Sequence, residues 1–233
     1  LLSFRGKYTN SFLDINIYHI KINYCMSSVE GGSNIITEGL VLYLDAANTK
    51  SYVSGSSTWY DLSRGANNGT LVNGATFSGN NNGVIALDGS NQYISLPNST
   101  LFANNSNMSV SIWVNFSSLS NNTFSLMSKG QQDVGAGRNY WWLNYAYSAT
   151  VANRRLYWET GDGVGGISQL VLSSWTPTLN TWYNVVGTFE PFLSKLYING
   201  SIAASASTSF STVAANNPSI PCNIGAYRNN FYY

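Results

Sequence analysis

The sequence predicts an all-β protein, folded as a sandwich of two antiparallel sheets. Three observations support this fold class: the composition disfavours helices, apolar and polar residues alternate in short segments, and turn residues separate those segments. Charged residues make up 9% of the 233 residues and there are 21 glycines, so the polarity comes mainly from Asn, Ser, Thr and Gly. Asn, Ser and Gly compete with helical hydrogen bonds and favour turns and short strands.

Short strand-like segments follow one another from about residue 39. SVSIWVNF (109–116) is the clearest, because its alternation places Val110 and Ile112 on one face and Trp113 on the other. The Asn199–Gly200 pair in KLYING is a hairpin signal. We expect strands, in chain order, at GLVLYLD, GTLV, GVIALDG, QYISLP, SVSIWVNF, FSLMSKG, YWWLNYAY, RRLYWET, ISQLVLSS, WYNVVGTFE, KLYING, SIAASAS and CNIGAY.

The first 36 residues differ from the rest, and we expect the domain itself to cover residues 37–233. Residues 1–25 are dominated by Phe, Ile, Asn, Lys and Tyr, and Met26 follows them directly. One interpretation is that Met26 is the true start and residues 1–25 are an upstream extension of the reading frame. The other is a native N-terminal arm, since INIYHIKINY alternates as a strand does. Charged and polar residues interrupt the apolar stretch, so a secretory signal is not supported.

Composition also argues against several classes of protein. A net charge of +1 is unlike that of a nucleic-acid binder, which normally carries a basic stripe. No apolar run approaches the roughly 18 residues of a membrane span. The two cysteines, Cys25 and Cys222, do not form a disulfide framework, and His19 is the one histidine. A zinc site or a triad with a histidine base is therefore not expected.

Several motifs occur in the order and spacing of a known domain family. VIALDGSNQYISLPNS, SVSIWVNF, FSLMSKG, NTWYNVVGTFE, KLYING and NIGAY resemble the laminin-G-like, concanavalin A-like jelly-roll superfamily, over about residues 37–231. GLVLYLDAANTKSY and TWYDLSRGANNGTLVNGATF resemble a subgroup found in virion structural proteins of tailed phages. The resemblance implies a two-sheet antiparallel jelly roll. It implies less about function, because this fold hosts sugar binders, protein binders, hydrolases and spacers.

The end of the sequence departs from the family pattern. Members usually continue after the NIGAY region with a strand of the type F-x-G-x-I-x-x-V-x-I-Y, which closes the sheet beside the first strand. Here the sequence ends at NNFYY. We therefore expect a jelly roll truncated at its C-terminus, without the closing strand and with an open sheet edge.

The acidic residues do not support glycoside hydrolysis. Glycosidases on this fold carry two closely spaced glutamates on one strand, as nucleophile and general acid. The four glutamates here lie at 30, 38, 159 and 190, and none is two or four residues from another acid on a strand. The nearest pair is Glu159 and Asp162, and the Gly-rich ETGDG sequence places Asp162 in a turn. We therefore expect a protein that is not an enzyme.

Calcium is the one cofactor that the resemblance implies, because related lectin domains often bind one Ca²⁺ at a sheet rim. Asp133 and Asp162 lie in Gly-rich loops on either side of the YWWLNYAY–RRLYWET region and are the candidate ligands. The alternative is ordinary turn chemistry, in which Asp accepts backbone N–H bonds. That is also our expectation for Asp61 and Asp88.

The RNYWWLNYAY stretch (138–147) carries the candidate for sugar recognition. Neighbouring residues of a strand point to opposite faces, so Trp141, with Leu143 and Tyr145, is predicted to lie in the core. A pyranose needs an aromatic face and hydrogen-bonding groups beside it. The opposite face offers both types of group, and its candidate residues are Tyr140, Trp142 and Asn144. The alternatives are packing of Trp142 under a loop or against a neighbouring subunit.

Residues near this stretch in sequence complete the candidate site. Arg138 and Arg155 are predicted to donate hydrogen bonds at the rim, and Trp158 to extend the Trp142 surface if the two strands pair. Trp113 lies on the polar face of its strand. Trp182 belongs to the family signature NTWYNVVGTFE and is expected to be structural.

The functional hypothesis is a non-catalytic carbohydrate-recognition or decoration module of a phage or virus structural protein, located on a virion or outside the cell. Its expected partners are a glycan or other virion or cell-surface proteins, with homo-oligomers as a further option. The alternatives are a purely structural virion protein that makes protein–protein contacts, and a polysaccharide-degrading glycosidase.

Overall fold

The structure, a computed structural model, describes residues 17–20, 37–119, 123–132, 138–215, 220–227 and 231–232. It is almost entirely β-structure. Three single turns of 3-10 helix interrupt the strands within these residues, at Asn80–Asn82, Thr100–Phe102 and Val151–Asn153. No described helix has the length and apolar character needed to cross a membrane.

The described residues form twenty strands. The first ten are β1 (Ile17–Ile20), β2 (Tyr43–Leu44), β3 (Thr58–Trp59), β4 (Gly69–Val72), β5 (Thr76–Ser78), β6 (Val84–Ala86), β7 (Tyr93–Leu96), β8 (Asn104–Asn105), β9 (Met108–Asn115) and β10 (Thr123–Gln132). The second ten are β11 (Arg138–Ala146), β12 (Arg155–Gly161), β13 (Ile167–Ser173), β14 (Trp182–Glu190), β15 (Leu193–Ile198), β16 (Ser201–Ser207), β17 (Val213–Ala214), β18 (Cys222–Ile224), β19 (Ala226–Tyr227) and β20 (Phe231–Tyr232).

Two large sheets form the sandwich. The six-stranded sheet has the order β16-β15-β14-β9-β1-β2, and the eight-stranded sheet has the order β13-β12-β11-β10-β18-β7-β4-β3. Three two-stranded pairs, β5–β6, β8–β17 and β19–β20, lie outside them. The predicted all-β antiparallel sandwich is confirmed. The hairpin predicted at Asn199–Gly200 is also present, since it joins β15 to β16.

One strand of the six-stranded sheet pairs in parallel on both sides. β1 lies between β9 and β2, and its pairings with both are parallel, whereas the other pairings of the two large sheets are antiparallel. β1 comes from the segment predicted as an N-terminal arm or extension, and residues 1–16 and 21–36 of that segment lie outside the described residues. β1 occupies the place beside β2 where we expected an open edge. Its pairing with β9 ends at Ser111.

The core lies between the inner faces of the two sheets. Val110 and Val185 enter it from the six-stranded sheet, and Met127 and Leu143 from the eight-stranded sheet, all with no exposed surface. Trp158 joins the two sheets directly. Its Nε1 donates a hydrogen bond to the carbonyl oxygen of Thr188 at 3.1 Å, so the buried indole N–H is satisfied.

Candidate functional site

The alternation of β11 follows the sequence prediction. Trp141, Leu143 and Tyr145 are fully buried in the core. β11 pairs with β12 without a register shift, and the one bulge against β10 lies in β10, between Ser125 and Met127. The bulge therefore does not change which side chains of β11 face the core, and the predicted core position of Trp141 is confirmed.

The opposite face of β11 is covered rather than open. Tyr140, Trp142 and Asn144 are 0%, 6% and 3% exposed. Tyr140 and Trp142 stack on each other, with ring centroids 4.4 Å apart, and Tyr227 of β19 packs edge-on against Trp142. The prediction that these three residues form an exposed surface is therefore wrong, because the chain after β18 returns over this face.

The strand register also corrects the prediction for Trp158. Trp158 lies opposite Leu143, which places it on the core side of the sheet, with no exposed surface. β11 and β12 do pair, but Trp158 does not extend the Trp142 surface. Arg155 lies opposite Ala146 on the outer face and is exposed. Arg138 begins β11, and its side chain lies outside the described part of the structure.

A buried polar network lies on this covered face. Glu159 pairs across the strands with Trp142 and is 1% exposed. One of its carboxylate oxygens accepts a hydrogen bond from the hydroxyl of Tyr140, and the other accepts one from Nε2 of Gln169. Hydrogen bonds to the ionised form compensate a buried carboxylate for lost hydration. Both oxygens of Glu159 are therefore engaged in holding the sheet face together.

The calcium prediction concerned Asp133 and Asp162. Asp133 lies outside the described residues. Asp162 follows β12, and its Oδ1 accepts hydrogen bonds from the backbone N–H groups of Val164, Gly165 and Gly166, at 2.8–3.0 Å. These three N–H groups occupy Oδ1, so this oxygen is not free to bind a cation. Within the described ranges, no group of three or more His, Cys, Asp or Glu residues could hold a metal ion. Asp162 is thus a turn cap, and the calcium site stays a prediction because Asp133 is not among the described residues.

A groove of about 580 Å³ opens elsewhere, between the two sheets. Ile112 and Phe116 line it from β9 and the residue that follows that strand, and Ile94, Leu126 and Ile224 line it from the eight-stranded sheet. The groove lies where the pairing of β9 with β1 has ended. Beyond Ser111, β9 pairs only with β14 among the described strands. The five apolar side chains that form the floor of the groove belong to the core.

Two tryptophans stand at the side of this groove. Trp113 and Trp182 are both half-buried and both line it. Strand pairing places Trp182 opposite Asn115 and Trp113 opposite Asn184, so the four side chains lie on the outer face of the six-stranded sheet. Trp182, which was expected to be structural, lies on the same sheet face as Trp113, and its structural role stays a prediction.

Polar side chains line the rest of the groove. Among the described lining residues, the only carboxylate is that of Asp88, and the residues with amide side chains are Asn80, Asn81, Gln92, Asn115 and Asn180. Trp59 also lines the groove. It is 4% exposed, and its Nε1 has no hydrogen-bond partner among the described residues. The groove therefore combines aromatic faces, amides, a carboxylate and a buried donor.

The loop that carries Asp88 is held rigidly. Oδ1 of Asp88 accepts hydrogen bonds from the backbone N–H groups of Ser90, Asn91 and Gln92, and the side chain of Gln92 accepts one from the N–H of Asp88. These bonds lower the pKa of the Asp88 carboxyl, with the N–H of Ser90 as the largest cause. The turn-cap role expected for Asp88 is confirmed. Asp61 caps a turn in the same way, through the N–H of Ser63.

The sequence pattern could not predict the groove. Trp59, Asp88, Trp113 and Trp182 come from four separate segments, and the strand order of two sheets is needed to place them side by side. The sequence offered only the alternation of side chains along each strand, which placed Trp113 on the polar face of its strand.

Comparison with known proteins identifies the family. Residues 88–233 match the laminin G-type family described as the concanavalin A-like lectin/glucanases superfamily. The chain belongs to this superfamily. A comparison with curated proteins found no match.

Several solved structures are similar to the chain. Domain 4 of AbnA, an extracellular GH43 arabinanase from Geobacillus stearothermophilus, in complex with arabinotriose, is 19% identical, with a TM-score of 0.53, covering 75% of this chain and 79% of that one. The binding domain of botulinum neurotoxin serotype D is 18% identical, with a TM-score of 0.49, covering 72% of this chain and 40% of that one. The carbohydrate-binding module CBM66 from Bacillus subtilis is 16% identical, with a TM-score of 0.37, covering 67% and 90%. At 19% identity, the likeness to the arabinanase domain concerns the fold alone.

Proposed function

We propose that this protein is a non-catalytic carbohydrate-recognition module and that it binds glycans in the groove beside Trp113 and Trp182. The observation that carries the proposal is the position of these two half-buried tryptophans on the outer face of the six-stranded sheet, next to Asn115, where all three line one side of the groove. The covered face of β11 offers no comparable access.

The chemistry of the groove matches that of a sugar. A pyranose has an apolar face of C–H groups that packs on an indole ring, and hydroxyls at its edge that need donors and acceptors. Trp113 and Trp182 supply the rings, and amides such as Asn115 and Asn180 supply both donors and acceptors. The complex of the arabinanase domain with arabinotriose supports the proposal, because that protein holds a short glycan on a similar fold.

Among the described residues, the groove has fewer carboxyl groups than glycoside hydrolysis needs. Retaining and inverting glycosidases both need two carboxyl groups flanking the scissile bond. Asp88 is the one acidic residue among the described lining residues. Glu159 lies on the other sheet, buried and bonded through both oxygens, and Glu190 pairs with Lys195 at 3.3 Å. These placements support a binding role without catalysis.

We also propose a virion or extracellular setting. The support is the resemblance of GLVLYLDAANTKSY and the segment after it to virion structural proteins of tailed phages, together with the low charge of the chain. Polysaccharide capsules and cell-surface glycans are the ligands that such a setting would present.

The test is glycan binding by Trp113→Ala and Trp182→Ala. A glycan array identifies ligands for the wild-type protein, and calorimetry then measures the affinity of each variant. We expect each variant to bind at least tenfold more weakly, which corresponds to about 1.4 kcal/mol. The matched control is Phe192→Ala, because Phe192 is 58% exposed and lies outside the groove. Unchanged affinity in both tryptophan variants, or no glycan bound by the folded wild type, would overturn the proposal. Release of reducing ends from a polysaccharide panel would overturn its non-catalytic part.

A structural role in protein–protein contacts is the second candidate, and one observation favours it. β16 is one of the two edge strands of the six-stranded sheet, its sequence SIAASAS carries no charge, and Ile202 within it is 62% exposed. Uncharged edge strands readily pair with other chains, because their backbone donors and acceptors on one side remain available.

The edge strand can be tested separately from the groove. If β16 mediates association, light scattering after size exclusion shows an oligomer for the wild type and a monomer for Ile202→Lys, since an edge lysine blocks pairing. A wild-type protein that is monomeric at all concentrations contradicts this candidate and leaves the glycan proposal unaffected.

A further inference from the structure

We infer that the groove selects short neutral glycans, of roughly two to three sugar rings, and discriminates against anionic ones. The inference rests on the proposed function, since it names the class of ligand for the same site. It follows from three features of the groove, which are the charge of its lining, its volume and the donor of Trp59.

The first feature is a lining with one charge, and that charge is negative. Within the described residues, Asp88 is the one ionisable side chain of the lining, and no Lys, Arg or His lines the groove. A uronic acid, sialic acid or sulfated sugar would lose hydration on entry and would find no cation to compensate it. It would also approach the carboxylate of Asp88. A neutral sugar has no ionic hydration to lose and is not repelled by the carboxylate of Asp88.

The Asp88 carboxylate is fixed in place for such a role. Its Oδ1 is engaged by three backbone N–H groups, from Ser90, Asn91 and Gln92, whereas Oδ2 takes part in none of the described hydrogen bonds. A carboxylate held in this way accepts hydrogen bonds from sugar hydroxyls at Oδ2 without reordering the loop. It therefore favours a ligand rich in donors and repels a ligand that carries its own carboxylate.

The second feature is the volume. About 580 Å³ lies within the range of small-ligand sites, about 300–1,000 Å³, and suits an oligosaccharide of roughly two to three rings. Further rings of a longer chain would extend past the rim. Affinity should therefore rise with chain length up to about three rings and then level off.

The third feature is the indole N–H of Trp59. A buried donor without a partner is rare and unfavourable in a folded protein. Trp59 is held by its strand pairing with Gly69 and by a bridge to Tyr52, so the ring is positioned in advance. The N–H has almost no accessible surface, so a hydroxyl or a ring oxygen of a neutral sugar would satisfy this donor only once the side chains around it shift.

The experiment uses matched glycans that differ in charge and length. The probes are neutral, uronic-acid-containing and sialic-acid-terminated oligosaccharides of two to six rings, with dissociation constants measured by calorimetry for the wild type, Asp88→Asn and Trp59→Phe. Asp88→Asn retains an oxygen that can accept the loop N–H groups and removes the charge. Trp59→Phe retains an aromatic ring and removes the N–H donor.

We expect neutral trisaccharides to bind at least tenfold more tightly than their anionic counterparts, with no further gain from three to six rings. Asp88→Asn should reduce this discrimination severalfold, and Trp59→Phe should weaken neutral binding severalfold without lowering the melting temperature by more than a few degrees.

Anionic glycans that bind as tightly as neutral ones, or affinity that keeps rising to six rings, would overturn the inference while the glycan-binding function stands. Unchanged neutral binding in Trp59→Phe would overturn the anchoring role of that residue. A wild type that binds none of the probes, and nothing on the wider array, would overturn the proposed function itself.

Discussion

Tyr227 lies edge-on against Trp142, with ring centroids 4.6 Å apart and ring planes at 78°. This is the T-shaped arrangement that aromatic quadrupoles favour. Tyr140 stacks on the same indole, with an interplanar angle of 28°. Trp142 is thus in contact with two tyrosines, one from its own strand and one from β19. The result is an aromatic cluster on the outer face of the eight-stranded sheet, and it covers the surface that the sequence pattern had presented as a binding site.

Replacing Tyr227 with Ala should uncover Trp142. We expect greater quenching of tryptophan fluorescence by acrylamide and a loss of roughly 1–2 kcal/mol in the free energy of unfolding, because the aromatic pair and its buried area are both removed. The measurements are Stern–Volmer quenching and urea denaturation. Tyr60→Ala is the matched control, since Tyr60 is 45% exposed and should change neither quantity appreciably. Equal quenching in Tyr227→Ala and the wild type contradicts the covering role of Tyr227.

The sequence predicted the fold in more detail than the site, and particular residues show why. The order of the strands and the core position of Trp141 follow from local alternation, which needs no knowledge of neighbours. The face of Trp158 depends on how β12 pairs with β11, and a shift of one residue in that register would have reversed it. The burial of Trp142 depends on Tyr227, which is distant in sequence. Such contacts arise from tertiary structure, and no pattern within a segment contains them.

Gly187 is a position where the close approach of the two sheets can be tested. A Cβ at this residue would lie 2.5 Å from Cδ2 of Trp158, and Trp158 is fully buried. We expect Gly187→Ala to destabilise the fold by about 1–3 kcal/mol, because the indole must shift and strain its hydrogen bond to Thr188. Differential scanning calorimetry should show the melting temperature falling by roughly 2–4 °C for each kcal/mol.

The matched control for this substitution is Gly79→Ala. A Cβ there would meet nothing within 4 Å, and the backbone φ of −72° suits an L-residue. Ala at such a position stabilises by about 0.4–1 kcal/mol through the entropy of the unfolded chain. If both substitutions change the melting temperature equally, the packing of Trp158 on Gly187 does not account for the effect.

Asp162 allows a direct test of the calcium hypothesis. Its Oδ1 already accepts three backbone N–H bonds, so the Asp162→Asn variant should show the same response of its melting temperature to millimolar Ca²⁺ as the wild type. The amide oxygen of Asn can accept the same N–H groups, and the turn should therefore persist. A calcium-dependent increase in melting temperature that is lost in Asp162→Asn would show that this residue binds calcium after all.

The lowered pKa of the Asp88 carboxyl predicts how glycan binding depends on pH. Backbone N–H bonds, that of Ser90 first, hold the pKa of its carboxyl below the ordinary value of 3.8. A lowered pKa in the folded state means that the turn is stabilised above the unfolded pKa, and that this stabilisation is lost as the pH falls through the folded value. Glycan affinity should therefore be constant from pH 8 to about pH 5 and should fall only as the pH drops below the ordinary pKa of an aspartate, where the carboxylate is protonated. Calorimetric titrations across this range measure the profile, and Asp88→Asn should bind with no such fall, since its side chain does not titrate. A wild-type affinity that already falls between pH 7 and pH 5 would assign the dependence to a group other than Asp88.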